Sequence, residues 1–200
     1  MTAIKGYLLQ EKELSKRNQS FYLAKREADG QEVYLKVIEN QEYDSAAIAV
    51  LRREYEISKN LDHPGIVQAL DFVEFHGGIA LVMKRFDGVS LQKLLSEKRM
   101  AFRDFLIISI NLCDALGYLH SKSIIHKDIK PSNILINPKD LNIKLIDFGI
   151  ASLIPQEDIT PSNTTVLEGT LAYISPEQTG RMNRALDYRS DLYSLGVTLY

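Results

Sequence analysis

The chain has 200 residues, of which 45% are hydrophobic and 25% are charged, so it is long and apolar enough to fold as a globular protein. Its 24 basic and 26 acidic residues give a net charge of −2, which predicts no general affinity for nucleic acid. Cys113 is the only cysteine, which excludes an internal disulfide, and its apolar helical surroundings predict a buried packing residue. The chain has neither a signal-like N-terminus nor a run of about 18 apolar residues, so we expect a cytoplasmic protein without a membrane-spanning segment.

The first part of the chain reads as short strands with one helix. Three apolar runs predict strands, at residues 6–10, 20–25 and 33–38. Asp29-Gly30 is a hairpin signal between the last two of them. A helix is predicted over 45–60, where Leu51, Glu54, Tyr55 and Ser58 recur at helical spacing, so that Glu54 shares a face with Leu51 and points inward. A continuous apolar run at 79–83 predicts a further strand, and a domain boundary falls near Asp87-Gly88.

The second part of the chain is more helical. Ser90 is a predicted cap for a short helix, and residues 103–120 form a long amphipathic pattern. Two apolar runs, 134–136 and 143–146, flank a turn and predict a hairpin. This hairpin would present Asn133 and Asp147 at the same end.

Two short strings carry the chemistry. The first runs from His126 to Asn133, and the second is the Asp-Phe-Gly string that begins at Asp147. Either string alone is an ordinary turn sequence, but together they supply the groups that phosphoryl transfer requires. Asp128 can accept the hydrogen bond of an incoming hydroxyl and Lys130 can contact the transferring phosphate. Asn133 and Asp147 offer oxygen ligands for Mg²⁺.

These strings, with the run Val33 to Lys36 and the run Gly169 to Glu177, resemble a eukaryotic-type Ser/Thr protein kinase domain. The resemblance implies an α+β, two-lobed fold. The N-lobe, residues 1–86, would be a small antiparallel sheet with one helix, and the C-lobe, residues 87–200, would be mainly helical. Since such a domain continues beyond the helix that contains Asp191, the C-lobe is expected to be incomplete. The unusual run 174–184 is similar to the N-terminal kinase domain of large bacterial proteins that also carry an ATPase module and a sensor histidine kinase.

The resemblance also assigns residues to ATP. Lys36 would bind the α and β phosphates while paired with Glu54. Met83 would lie at the back of the adenine pocket, the backbone up to Phe86 would form the hinge, and Leu135 would lie beneath the base.

Two features depart from the family pattern. Tyr34 stands where most kinases have alanine, two residues before the lysine, and a phenol there could narrow the nucleotide pocket. The expected glycine-rich loop corresponds to residues 14–21, which contain no glycine. Ser15, Asn18 and Ser20 could replace its phosphate contacts only in part, with Lys16 and Arg17 adding charge, and a solvated hairpin tip is an equal alternative.

The Ser-, Thr- and Pro-rich segment 151–168 resembles an activation loop, in which Thr164 and Thr165 are the best phosphosite candidates. A phosphate there would pair with Lys127, although an unregulated loop is an equal alternative. Lys130 and Thr170 resemble their counterparts in Ser/Thr kinases rather than tyrosine kinases.

The expected function is therefore ATP- and Mg²⁺-dependent phosphorylation of Ser or Thr on a protein substrate, in signalling. A regulatory pseudokinase within a larger signalling protein is the alternative, favoured by Tyr34, by the glycine-free loop and by Lys127, which replaces the arginine that most regulated kinases have before the catalytic aspartate. A phosphotransferase for small molecules is disfavoured by the activation segment.

Overall fold

In a computed structural model of the chain, the described residues are 4–16, 19–39, 45–153, 170–179 and 186–200. They form two compact units. The first contains the residues up to Asp62 together with Val67–Phe86, and the second contains His63–Ile66 and Asp87–Tyr200. Among the helices of these described ranges, none is long and apolar enough to cross a membrane.

The first unit is a five-stranded antiparallel sheet with the strand order β1-β2-β3-β5-β4 and one helix, α1. Its elements are β1 Tyr7–Lys16, β2 Gln19–Arg26, β3 Glu32–Glu39, α1 Ser45–Ser58, β4 Ala69–Phe75 and β5 Gly78–Lys84. Strand β1 continues six residues beyond its predicted end, and its pairing with β2 shifts register twice. Sequence analysis did not predict β4, whose only fully buried residue is Ala69.

Strand β3 lies at the centre of this sheet and is buried on both faces. Val33, Leu35 and Val37 are fully buried on one face, where they pack in a core with Ile4 and Tyr7. Because side chains alternate along a strand, Lys36 lies on the opposite face. The central strand therefore carries a lysine that is only 4% exposed.

The helix of the first unit presents the predicted face to its core. Leu51, Glu54 and Ser58 are its buried residues, which confirms the inward position of Glu54, while Tyr55 is only partly buried. The Ser58 hydroxyl donates to the carbonyl oxygen of Glu54 at 2.5 Å, which ties the side chain of Ser58 to the preceding turn. A glutamate is thus buried on the inner face of α1.

The second unit contains three helices and several two- or three-residue strands within its described residues. These elements are β6 Val89–Ser90, α2 Leu91–Glu97, α3 Phe102–Ser121, β7 Ile124–Ile125, β8 Ile134–Ile136, β9 Ile143–Leu145, β10 Ser152–Leu153 and α4 Arg189–Leu199. Ser90 caps α2 as predicted, since its hydroxyl accepts a hydrogen bond from the backbone of Lys93 at 3.2 Å. The predicted hairpin is present, with Ile134 opposite Leu145 in β8 and β9.

The long helix α3 buries one stripe of side chains, including Ile108, Leu112, Leu116 and Leu119. The prediction that Cys113 is buried was wrong, because its side chain is exposed. Cys113 follows Leu112 by one position, which turns it about 100° away from the buried stripe of a 3.6-residue helix. Apolar neighbours in the sequence were therefore not sufficient to predict burial of this residue.

Candidate active site

In the first unit, Lys36 and Glu54 form a buried ion pair. The Lys36 Nζ atom lies 2.7 Å from Glu54 Oε2, and the two side chains are 5% and 2% exposed. Such a pair needs close geometry, because the attraction must offset the cost of removing two charges from water. The expected contact between β3 and α1 is present.

Tyr34 lies on the same face of β3 as Lys36, as the alternation predicts. Its ring is partly buried, and its hydroxyl donates to Glu13 Oε1 in β1 at 3.0 Å. The phenol is therefore tethered toward the edge strand. Opposite it across the β3–β5 ladder is Met83, which is 8% exposed, while Phe86 is partly buried at the end of the unit.

In the second unit, three polar side chains converge on Asp128. Lys130 Nζ donates to Asp128 Oδ2 at 2.5 Å and to the Thr170 hydroxyl at 2.6 Å. That hydroxyl in turn lies 3.3 Å from Asp128 Oδ1. Asn133 Nδ2 donates to Asp128 Oδ2 at 2.8 Å and to the Asp128 carbonyl oxygen at 2.9 Å. This network brings together three residues predicted to be catalytic and adds Thr170 from forty positions downstream.

The backbone that carries Asp128 is held by buried polar groups. Lys127 has a φ of 68°, a left-handed conformation that costs a non-glycine residue about 1 to 2 kcal/mol. The fully buried carboxylate of Asp191 accepts hydrogen bonds from the backbone N–H groups of His126 at 2.9 Å and Lys127 at 2.8 Å. The His120 ring also contacts this carboxylate at 3.0 Å. These bonds stabilise the strained turn that presents Asp128.

Asn133 and Asp147 are brought together by the β8–β9 hairpin. The backbone N–H of Ile146 donates to the Asn133 carbonyl oxygen at 3.0 Å, so Asp147, the next residue, follows directly from a residue bonded to Asn133. Asp147 has a φ of 70°, and the following residue, Phe148, is fully buried against the His126 ring at 4.8 Å between centroids.

This arrangement fits Mg²⁺. The amide nitrogen of Asn133 is engaged with Asp128, so its oxygen is the end suited to a cation. Mg²⁺ usually takes only one or two oxygen ligands from a protein when substrate phosphates occupy its other coordination positions. The Asp147 carboxylate and the Asn133 amide oxygen provide two such ligands. Leu135, the residue predicted to lie beneath the base, is partly buried in β8.

Comparison with known families matches residues 18–200 to the protein kinase domain. The chain belongs to the protein kinase family. Its relatives include the serine/threonine-protein kinase pkn2 of Myxococcus xanthus, which is 35% identical over 183 residues, covering 90% of this chain and 22% of the relative. The probable serine/threonine-protein kinase PknB of Lactococcus lactis is 35% identical over 84% of this chain and 26% of its own length. PknB of Mycolicibacterium smegmatis is 38% identical over 74% of this chain and 24% of its own length.

The chain therefore spans about a quarter or less of the length of these kinases. The expected family resemblance and kinase-like fold are confirmed. An antiparallel sheet with one helix and a mainly helical unit are what this kinase fold requires, and both are present.

Two acidic groups of this kinase domain make hydrogen bonds that the local sequence did not predict. Asp191 was noted only as the start of a helix, although a charged residue within an apolar pattern could have indicated a buried partner. Glu177 Oε1 accepts a hydrogen bond from the Ser190 hydroxyl at 2.7 Å. Burial alone would raise the pKa of the Glu177 carboxyl, but its hydrogen bonds with Ser190, its own backbone and Ser175 lower that pKa below the ordinary value.

Some predicted residues lie outside the described part of the kinase domain. Thr164 and Thr165 fall in the gap between residues 153 and 170. Arg17 and Asn18 also lie outside the described residues, as do the side chains of Ser15 and Lys16. Their predicted roles in regulation and phosphate binding stay predictions.

Proposed function

We propose that the chain catalyses ATP-dependent phosphorylation of serine or threonine hydroxyls on a protein substrate. The observation that carries this proposal is the network in which Lys130, Asn133 and Thr170 all contact the Asp128 carboxylate. A carboxylate held by three neighbours has little freedom to rotate, and orientation of the attacking hydroxyl is a main contribution of a kinase to catalysis. A regulatory domain without activity would not need this constraint.

Each side chain then has one task. Asp128 accepts the hydrogen bond of the substrate hydroxyl and takes its proton as the oxygen bonds to the γ-phosphorus. The bond from that phosphorus to the β–γ bridging oxygen breaks, and ADP leaves with the electron pair. Lys130, now paired with Asp128, provides a positive charge for the transferring phosphoryl group. Asn133 and Asp147 would hold Mg²⁺, which would neutralise charge on the phosphates.

The first unit contributes a fixed cation. The ammonium of Lys36 is held by Glu54 at 2.7 Å, so binding the α and β phosphates needs little reorganisation of the lysine. We assign Met83, Phe86 and Leu135 to the adenine base on the strength of the family pattern.

The acceptor is a serine or threonine rather than a tyrosine. The Thr170 hydroxyl contacts both Lys130 and Asp128, and a threonine at this position resembles Ser/Thr kinases rather than tyrosine kinases. The relatives are all named as serine/threonine-protein kinases, which supports the same assignment. Regulation through Thr164 or Thr165, action in the cytoplasm and attachment to further signalling modules belong to this proposal as well.

The test is transfer of labelled γ-phosphate to a generic Ser/Thr substrate such as myelin basic protein or casein. The wild-type chain and a form extended toward the length of its relatives are assayed with Mg·ATP, beside Asp128→Asn in each. We expect transfer to fall by about 10³-fold in the variant while Mg·ATP binding is retained, because the base is lost but the fold is kept. Binding without transfer by both wild-type forms would contradict the proposal, and phosphotyrosine as the main product would contradict the assigned acceptor.

A further inference from the structure

The peptide group between Lys127 and Asp128 controls where the Asp128 side chain lies. The orientation of this peptide is set by the ψ angle of Lys127 and the φ angle of Asp128, because the peptide group itself is planar. The Asp128 N–H donates to His126 Nδ1 at 3.3 Å, a long hydrogen bond. A rotation about the ψ bond of Lys127 would turn this peptide plane and move the Asp128 carboxylate with it.

The other end of the same peptide is held by Gln178. Its Nε2 atom donates to the Lys127 carbonyl oxygen at 2.9 Å, across 51 positions of sequence. This bond is shorter than the one to His126, and it engages the carbonyl that would have to turn if the peptide rotated. Gln178 therefore opposes that rotation directly.

The amide of Gln178 is itself oriented by a buried neighbour. Its Oε1 atom accepts hydrogen bonds from the backbone N–H of Ser175 at 3.2 Å and from the Ser175 hydroxyl at 3.1 Å. Ser175 is fully buried. Since two Ser175 donors face the oxygen of the amide, its NH₂ group must point toward Lys127. A reversed amide would place NH₂ against the Ser175 N–H and an oxygen against the Lys127 carbonyl.

Residues 170–179 thus hold Asp128 in two ways. Thr170 contacts the carboxylate, while Gln178 holds the backbone that carries it. We propose that Gln178 is a positioning residue for phosphoryl transfer, one that keeps the Lys127–Asp128 peptide in the orientation that presents Asp128. The proposal rests on the proposed kinase function, but its structural half can be measured without activity.

Two substitutions of Gln178 separate its roles. Gln178→Met keeps the length of the side chain and removes all three hydrogen bonds of its amide. Gln178→Glu keeps an acceptor for Ser175 but places a carboxylate oxygen against the Lys127 carbonyl. Gln92→Met and Gln92→Glu, at an exposed position of α2, are the matched controls.

We expect both Gln178 variants to lower kcat by about 10- to 100-fold with KM for Mg·ATP unchanged, since misplacement of a catalytic group by about 1 Å is enough for such a loss. In Gln178→Glu, the activity relative to wild type should rise as the pH falls from about 8 to about 5.5. Protonation turns the new carboxylate into an O–H donor for the Lys127 carbonyl, and that carbonyl oxygen favours the protonated form, which raises the pKa from about 4.3. Gln178→Met should show no such recovery.

Hydrogen exchange provides the readout that does not depend on turnover. Peptides covering 126–133 should exchange about tenfold faster in Gln178→Met, while peptides from β3 and β5 keep the wild-type rate. Unchanged exchange in 126–133, or a kcat within twofold of wild type in an active enzyme, would overturn the proposal. So would a loss of kcat accompanied by faster exchange throughout the second unit, which would indicate a general structural role. If neither the wild-type chain nor its extended form shows transfer, the kinase proposal fails, and the exchange result still decides whether Gln178 holds the peptide.

Discussion

The two polar sites of this kinase domain are constructed differently. In the first unit, a lysine from a central strand meets a glutamate from a helix, both almost fully buried and 2.7 Å apart. In the second unit, Asp128 lies in a network with partners 2.5 to 3.3 Å away, and its side chain is 11% exposed. The first site is built around a contact between two buried charges, whereas the second distributes its constraints over several polar contacts.

This difference predicts how each site fails. Removing one member of a buried ion pair leaves a charge without compensation, which affects the fold itself. Removing one member of a network leaves the others in place, which affects geometry before stability. The first site should respond to substitution in an all-or-none manner and the second in graded steps.

The largest effect is expected at the ion pair. Lys36→Met should lower the free energy of unfolding by about 3 to 5 kcal/mol, because Glu54 would keep a buried charge. Urea denaturation measures this loss, and Lys36→Met with Glu54→Leu should recover much of it. Glu74→Gln is the control, since it breaks a well-exposed pair with Arg52 in the same unit and should cost less than about 1 kcal/mol. Equal costs at the two pairs would show that burial does not set the difference.

The buried acid of the second unit comes next. Asp191→Asn retains one oxygen and turns an NH₂ group toward backbone donors, so about 2 to 3 kcal/mol should be lost. Asp114→Asn is the matched control, because Asp114 also faces a histidine, His63, but is 71% exposed. Thermal unfolding distinguishes the two. A cost at Asp191 no greater than at Asp114 would mean that the turn at Lys127 does not depend on this carboxylate.

A smaller effect is expected at the edge of the Asp128 network. Thr170→Ala removes one of its three side-chain partners and should lower kcat about tenfold, equivalent to about 1.4 kcal/mol in the barrier, with little change in melting temperature. Thr170→Ser should restore most of the rate because it keeps the hydroxyl. If the alanine variant loses all activity, the Asp128 network also responds in an all-or-none manner, and the expected difference between the two sites is wrong.

The smallest effect is a pH dependence at Glu177. Its pKa is lower in the folded protein than the ordinary value of 4.5, so its stabilising contribution is present above about pH 4.5 and is lost as the pH falls through the folded pKa. Ser190→Ala removes one of the hydrogen bonds and should cost about 1 kcal/mol at pH 7. The difference from wild type should shrink toward pH 3, as measured by urea denaturation at both pH values. A difference that is constant with pH would assign the cost to packing instead.

Much of the fold was readable from local patterns. The inner face of α1, the Ser90 cap and the β8–β9 hairpin were predicted correctly because each depends on residues within a few positions. Cys113 was predicted wrongly and β4 was missed. The pattern of apolar residues along a segment does not determine which of its faces packs against another element. The assignment of 1–86 and 87–200 to two kinase lobes stays a prediction, and His63–Ile66 groups with the second unit.

The sequence by itself determined the chemistry of the site, since Asp128, Lys130 and Asn133 lie within six positions and their spacing brings their side chains together. Tertiary structure decided what holds that chemistry in place. Asp191 meets the backbone of Lys127 across 64 positions, and Gln178 meets it across 51. No local pattern predicts these contacts, because buried backbone groups must be satisfied but any nearby polar side chain can do so. Which one does depends on the way the chain packs.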